Sequence, residues 1–179
     1  MQQEFIFAGF GGQGVLLMGQ LLAHTAMDEG KKVSWIPSYG PEMRGGTANC
    51  TVIVSDRDIG SPVVSQPSCV VAMNLPSLDK FEDKVKPGGV LVINSSLITR
   101  EPKRQDVKTV KVGATDIANE MGNARVANMV ALGAVLEATG AVTADGLMEA
   151  LRKNLPAHRQ NLLPLNKEAI EKGRNAVRK

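Results

Sequence analysis

Short apolar runs alternate along this chain with longer stretches whose apolar residues recur at helical spacing. The first run, Glu4 to Ala8, reads as a buried strand. From Gly14 to Glu29, Leu17, Leu21, Leu22 and Thr25 recur every three or four positions, which predicts a helix that Gly30 ends. Lys32 to Ile36 predicts a second strand, so the chain opens as strand, turn, helix, strand, the crossover that joins parallel strands. Thr47 to Ser55 alternates, with Ala48, Cys50, Val52 and Val54 on one face. Cys69 to Met73 is apolar throughout, as in a central strand buried on both faces. A helix over Ser77–Val85 and strands over Val90–Asn94 and Val107–Val112 follow. The remainder is helical: Asp116–Met121 capped by Thr115, Ala127–Thr139, Ala144–Lys153 capped by Thr143, and Lys167–Val177. Ala127–Thr139 is rich in small residues, which suits close packing on a sheet or another helix. No repeat or linker interrupts the pattern. The expected architecture is one domain over residues 1–179, a three-layer α/β/α fold with a mostly parallel central sheet.

Composition narrows the picture. Of 179 residues, 43% are hydrophobic but only 3% aromatic, so the core is built from aliphatic residues. The net charge of +3 is spread along the chain, which does not supply the basic stripe and stacking aromatics of a nucleic-acid surface. No apolar stretch reaches the roughly 18 residues of a membrane span. The start Met1-Gln2-Gln3-Glu4 has no basic region of a signal peptide, so a cytoplasmic location is expected. Cys50 and Cys69 stand alone, outside any CxxC spacing; they cannot by themselves hold a zinc ion or an iron–sulfur cluster, and they read as reduced thiols, Cys50 in the core.

Between the first strand and the first helix stands AGFGGQG. Gly9, Gly11 and Gly14 have the spacing of a dinucleotide-binding turn, with Gly12 and Gln13 inside it, so the first βαβ unit is nucleotide-binding-like. Such a turn lets the chain approach a ligand closely and aims a helix N-terminus at an anion. A dinucleotide site also needs an acid at the end of the second strand, and that strand ends Trp35-Ile36-Pro37-Ser38. Asp28 and Glu29 fall at the end of the helix instead. No Gly-Lys-Ser/Thr follows the turn, so a phosphate-cradling Walker loop is absent as well.

Other chemistry is sparse. His24 and His158 have no nucleophile or acid beside them, and Glu42, Asp56 and Asp58 match no metal-cage spacing. Gly-Asp-Gly, which opens the thiamine-diphosphate signature, does not occur; Ala144-Asp145-Gly146 is its nearest approach and reads as a helix start. The unusual stretch is PSYGPEMRGGTANC, which crowds Tyr39, Glu42, Met43 and Arg44 between prolines and glycines. A stiff backbone bearing these side chains suits recognition of an anion or a partner chain. Equally, Arg44 can pair with Glu42 and hold the loop's own shape.

FAGFGGQGVLLMGQLLAHTAM, then WIPSYGPEMRGGTANCTVIVSDRDIGSP and the later NMVALGAVLEATG, resembles the gamma subunit of the 2-oxoacid:ferredoxin oxidoreductases, over essentially the whole chain. The GGTANC form looks more like the 2-oxoglutarate and branched-chain 2-oxoacid enzymes than the pyruvate enzymes. The resemblance implies alpha, beta and delta partner subunits, with thiamine diphosphate and Mg2+ between alpha and beta and [4Fe–4S] clusters on beta and delta. It implies a complex that converts a 2-oxoacid and coenzyme A to acyl-CoA and carbon dioxide while reducing ferredoxin. This chain would hold none of those cofactors and would have no catalytic residue or metal. Gly9, Gly11, Gly12, Gln13, Gly14, Tyr39, Glu42 and Arg44 become candidates for a coenzyme A contact or a subunit interface. The rival readings are a stand-alone dinucleotide-dependent oxidoreductase and a ligand-free scaffold.

Overall fold

The computed structural model describes residues 1–38 and 46–178. A six-stranded sheet is formed by β1 (Gln2–Phe10), β2 (Lys32–Ser38), β3 (Thr47–Ser55), β4 (Cys69–Ala72), β5 (Val90–Asn94) and β6 (Lys108–Val112), in the order β2-β3-β1-β4-β5-β6. β1, β4, β5 and β6 pair in parallel, whereas β3 runs antiparallel to both β1 and β2. Five strands therefore share one direction, and the sheet is mixed through β3 alone. β3 also separates the strands of the opening crossover: β1 and β2 are parallel but not neighbours. Pro37 is tolerated in β2 because that strand lies at the sheet edge, where a missing N–H costs no ladder bond.

The helices are α1 (Val15–Asp28), α2 (Leu75–Phe81), α3 (Ala114–Glu120), α4 (Ala127–Thr139), α5 (Ala144–Asn154) and α6 (Leu163–Arg178). Alternation along β1 sorts the two cores. Phe5 and Phe7 face one side, with Cys50, Val52, Val71 and Val92, under α1 and α3–α6. Ile6 and Ala8 face the other, with Val70, Ala72, Leu91 and Ile93, under Leu78 and Phe81 of α2. The three layers are present but unequal. α4 and α6 cross so closely that a Cβ on Gly173 would overlap the Val130 carbonyl, and one on Gly133 the Ile170 carbonyl; this is the close packing that the small residues of α4 foretell.

Local differences from the sequence reading have physical causes. In α1, Leu21, Leu22 and Thr25 are buried as expected, whereas Leu17 is exposed and its neighbour Met18 is buried instead. Gly30 does end α1: it takes φ +79°, its N–H reaches the Met27 carbonyl, and the Lys31 N–H reaches the Ala26 carbonyl. α2 starts earlier than Ser77, because the Asn74 side chain accepts the Ser77 N–H and Pro76 suits a first turn. Thr115 does not cap α3, which begins at Ala114; its hydroxyl instead accepts from Asn94 Nδ2 at 3.0 Å. Thr143 does cap α5, accepting the Gly146 N–H at 3.0 Å. α6 begins at Leu163 rather than Lys167, with Pro164 inside its first turn.

Candidate functional site at the glycine turn

The carboxyl ends of β1, β4 and β5 are joined by amide side chains. Gln13 folds back on β1: its N–H donates to the Phe10 carbonyl at 3.1 Å, and its Oε1 accepts the Phe10 N–H at 2.7 Å. Asn74, after β4, donates to the same Oε1 at 3.4 Å. A Cβ on Gly9 would lie 2.7 Å from Gln13 Oε1, so the glycine is what lets that amide sit against the strand. Asn94, ending β5, donates to the Met73 carbonyl at 3.3 Å and to Thr115 Oγ1. Asn74 and Asn94 are buried and Gln13 is half-buried, and their bonds hold the loops at this edge. The side-chain oxygen of Gln13 is thereby committed to the turn.

Gly12 and Gly14 both have positive φ, +91° and +72°. At Gly14 the chain turns into α1, and Asn128 of α4 donates to the Gly14 carbonyl at 3.4 Å. No side chain caps α1 and no acidic residue lies in its first turn. Its leading N–H groups and the positive end of its dipole therefore point to the edge with no carboxylate of the helix's own first turn to neutralise them. Beside the glycine turn lies a cleft of about 230 Å3, lined by Gly12, Gln13, Met73, Leu97, Thr115 and Arg125 among others. Arg125 is exposed and forms no ion pair among the described residues. Arrangement and charge both suit an anionic group such as a phosphate.

Gly9, Gly11, Gly12, Gln13 and Gly14 are thus together on one turn. Tyr39, Glu42 and Arg44 lie outside the described residues. The strands flanking them end at the same edge, since Ser38 pairs with Asn49 and Thr47 with Phe10. Arg125, Asn128, Asn74 and Asn94 were not singled out from sequence. A signal existed for two of them: Asn74 precedes Leu-Pro-Ser, a capping pattern, and Asn128 is an amide within the apolar opening of α4.

Burial pushes both thiols, Cys50 and Cys69, up to about 12, which keeps them protonated and poor metal ligands. Among the described residues no group of three or more His, Cys, Asp or Glu side chains could hold a metal ion, and no helix is long and apolar enough to cross a membrane. The residues present do not fit an iron–sulfur cluster.

A family model described as pyruvate ferredoxin/flavodoxin oxidoreductase matches residues 4–176. The chain is similar to the ketoisovalerate oxidoreductase subunit VorA of Methanothermobacter thermautotrophicus, at 43% identity over 168 residues, covering 93% of this chain and 34% of that one. The chain spans about a third of the length of the ketoisovalerate relatives it matches. Among solved structures it superposes on the keto/oxoacid ferredoxin oxidoreductase gamma subunit of Geobacter sulfurreducens with a TM-score of 0.85 and 33% identity, covering 98% of both chains. It also superposes on the 2-oxoglutarate:ferredoxin oxidoreductase of Magnetococcus marinus with 2-oxoglutarate, coenzyme A and succinyl-CoA bound, with a TM-score of 0.90, 26% identity, and coverage of 99% of this chain and 31% of that one.

Proposed function

Because the chain belongs to the pyruvate ferredoxin/flavodoxin oxidoreductase family, as one of its gamma subunits, we propose that it works within a multisubunit 2-oxoacid:ferredoxin oxidoreductase acting on 2-oxoglutarate or a branched-chain 2-oxoacid. The observation that carries this reading is the end-to-end likeness to a free-standing gamma subunit. The ketoisovalerate and 2-oxoglutarate relatives favour those two substrate classes over pyruvate. The partners are alpha, beta and delta subunits, with ferredoxin as the electron acceptor of the complex. Thiamine diphosphate, Mg2+ and the clusters belong to those partners, which would supply the decarboxylation and electron-transfer chemistry.

This chain's share is to bind and orient. The α1 N-terminus, the backbone of Gly11 to Gly14, and Arg125 can hold phosphate groups of coenzyme A at the cleft, and Tyr39, Glu42 and Arg44, which follow β2 in sequence, are further candidates for that contact. Coenzyme A is a co-substrate here, and its thiol must reach an acyl group formed on another subunit. The test is to express this chain with its alpha, beta and delta partners and assay 2-oxoacid-dependent ferredoxin reduction. Activity is expected to require coenzyme A and to prefer 2-oxoglutarate or a branched-chain 2-oxoacid over pyruvate. Full activity in a complex assembled without this chain would overturn the reading.

A further inference from the structure

Hydrogen-bond donors and acceptors are unevenly spent around the cleft beside the glycine turn. Three asparagines each direct a side-chain N–H at an oxygen of this edge. Asn74 Nδ2 donates to Gln13 Oε1, which also receives the Phe10 N–H. Asn128 Nδ2 donates to the Gly14 carbonyl, which also receives the Met18 N–H. Asn94 Nδ2 donates twice, to the Met73 carbonyl at 3.3 Å and to Thr115 Oγ1 at 3.0 Å. These four oxygens are thus engaged from within the chain, and what remains unspent is donors. Gln13 Nε2, the Thr115 hydroxyl proton and the Arg125 guanidinium have no acceptor among the described residues, and all three residues line the cleft. No acidic side chain lines it; the other walls are Gly12, Met73, Leu97 and two alanines.

The Asn94 amide cannot be turned the other way. Its Oδ1 accepts the Thr115 N–H at 3.4 Å and its Nδ2 meets a backbone carbonyl, so a flip would set donor against donor and acceptor against acceptor. Thr115 Oγ1 is therefore held as an acceptor on the side of β5. A hydroxyl that accepts there has its single proton left to donate elsewhere, and accepting from an amide makes it the stronger donor. Asn94 is 1% exposed, so bulk water does not compete for its side of the arrangement.

We infer that Thr115 contacts the ligand directly, its hydroxyl donating to a phosphate oxygen, and that Asn94 is the positioning residue that leaves this proton for the ligand. The inference rests on the proposed role of the cleft in holding coenzyme A, and adds which side chains read the ligand and which group they read. Gln13 Nε2, Thr115 Oγ1 and Arg125 make a donor-only set, which suits a group that only accepts, a phosphate or pyrophosphate. The adenine and the amide arm of coenzyme A both carry N–H groups, which would be left unpaired against such a set.

The test uses the complex co-expressed with its partner subunits and reads the apparent KM for coenzyme A against kcat. Thr115→Val removes the hydroxyl at nearly constant shape from a half-buried position and is expected to raise KM about 10-fold with far less effect on kcat, whereas Thr115→Ser should stay within about twofold of the wild type. Asn94→Ala frees the hydroxyl to rotate among its staggered positions and should raise KM about threefold, but should change it little once Thr115 is valine. Inorganic pyrophosphate should compete with coenzyme A in the wild-type complex, and adenosine should not. An unchanged KM in Thr115→Val overturns the contact, whether or not the Asn94 variant folds. Equal factors for Asn94→Ala with and without the Thr115 hydroxyl overturn the positioning role, since a merely structural residue acts alike in both backgrounds. Stronger competition by adenosine, or none by pyrophosphate, overturns the donor-only reading. A wild-type complex that is fully active without coenzyme A would instead sink the proposed role on which the inference rests.

Discussion

Replacing Gly14 with alanine should cost more stability than replacing Gly12, although both glycines sit in the same turn at positive φ. At Gly12 nothing lies within 4 Å of an added Cβ, so the cost is that of the left-handed backbone, about 1–2 kcal/mol. At Gly14 the same backbone cost applies, and the new Cβ would overlap the Asn128 amide nitrogen and lie 2.9 Å from its Cγ and 3.2 Å from its Cβ. Asn128 is buried, and its Oδ1 accepts the Met129 N–H at 2.9 Å while its Nδ2 donates to Gly14. Displacing it leaves buried polar groups unpaired, which adds about 1–3 kcal/mol. Gly14→Ala should therefore cost about 3 kcal/mol against about 1.5 for Gly12→Ala. For a chain of this length that is roughly 6–12 °C against 3–6 °C in melting temperature. Thermal and urea unfolding of the free chain measure both.

A double mutant separates the two causes. Asn128→Ala removes the obstructing amide, so Gly14→Ala/Asn128→Ala should be less destabilised than the sum of the single variants, by about 1–2 kcal/mol. Strict additivity, or equal costs at Gly12 and Gly14, would refute the claim that Asn128 packs on the turn. In the assembled enzyme the same pair bears on function. Gly12→Ala crowds the cleft and should raise the apparent KM for coenzyme A, whereas Asn128→Ala, behind the turn, should raise it less.

Further outcomes follow from the same geometry. Arg125→Ala should leave the melting temperature of the free chain unchanged, since the side chain has no partner among the described residues, and raise the coenzyme A KM of the complex about 10-fold, in line with loss of a charge-assisted bond of about 1.5–3 kcal/mol; an unchanged KM would remove it from the site. Arg44→Ala should weaken assembly or raise the same KM with the fold intact, and melting of the free chain with a fully active complex would show that Arg44 serves the loop alone. Gly173→Ala should cost about 1–3 kcal/mol in chemical unfolding by forcing α4 and α6 apart, despite the better helix propensity of alanine. Burial pushes the Glu29 carboxyl up, but bonds from the Thr143 backbone and hydroxyl and from Lys31 outweigh it and hold Glu29 below the usual carboxylate range. Its contribution is therefore complete above the unfolded value near 4.3 and lost as pH falls through the lower folded value, so Glu29→Gln should flatten the acid limb of a stability–pH curve.

How much of this was legible depended on whether the cause was local. β3 and β5 have the bounds that alternation and a short apolar run foretell, because the residues that set them are their own. The Gly30 stop and the Thr143 cap were legible for the same reason. The face of α1 was misjudged at Leu17 because helical spacing fits Leu17-Leu21 and Met18-Leu21-Leu22-Thr25 alike, and only the packed sheet decides between them. Thr115 looked like a cap, yet a hydroxyl goes to the strongest nearby partner, and Asn94 is brought beside it by a strand twenty-one positions away. Arg125 carried no signal at all, since an arginine between Asn-Ala and Val-Ala is indistinguishable from a surface residue until the cleft is formed.

Strand order was the least legible feature, and it bears most on what the glycine turn is for. In a dinucleotide fold the second strand lies beside the first, so an acid at its end reaches the ribose of a cofactor held on the turn. Here that place beside β1 is taken by β3, inserted antiparallel, and Ser38 lies level with Ala8 but two strands away. Two inter-strand spacings are roughly 9.5 Å, too far for a carboxylate of two or three carbons to bridge. The missing acid noted in the sequence is thus the lesser obstacle, because an acid placed at Ser38 would still fall short. The same insertion delivers the start of β3 to the edge, with Thr47 directly opposite Phe10. It exchanges a ribose-binding side chain for a second backbone segment beside the turn. Phosphates held by the turn would then meet the start of β3 in place of a dinucleotide's ribose-binding strand.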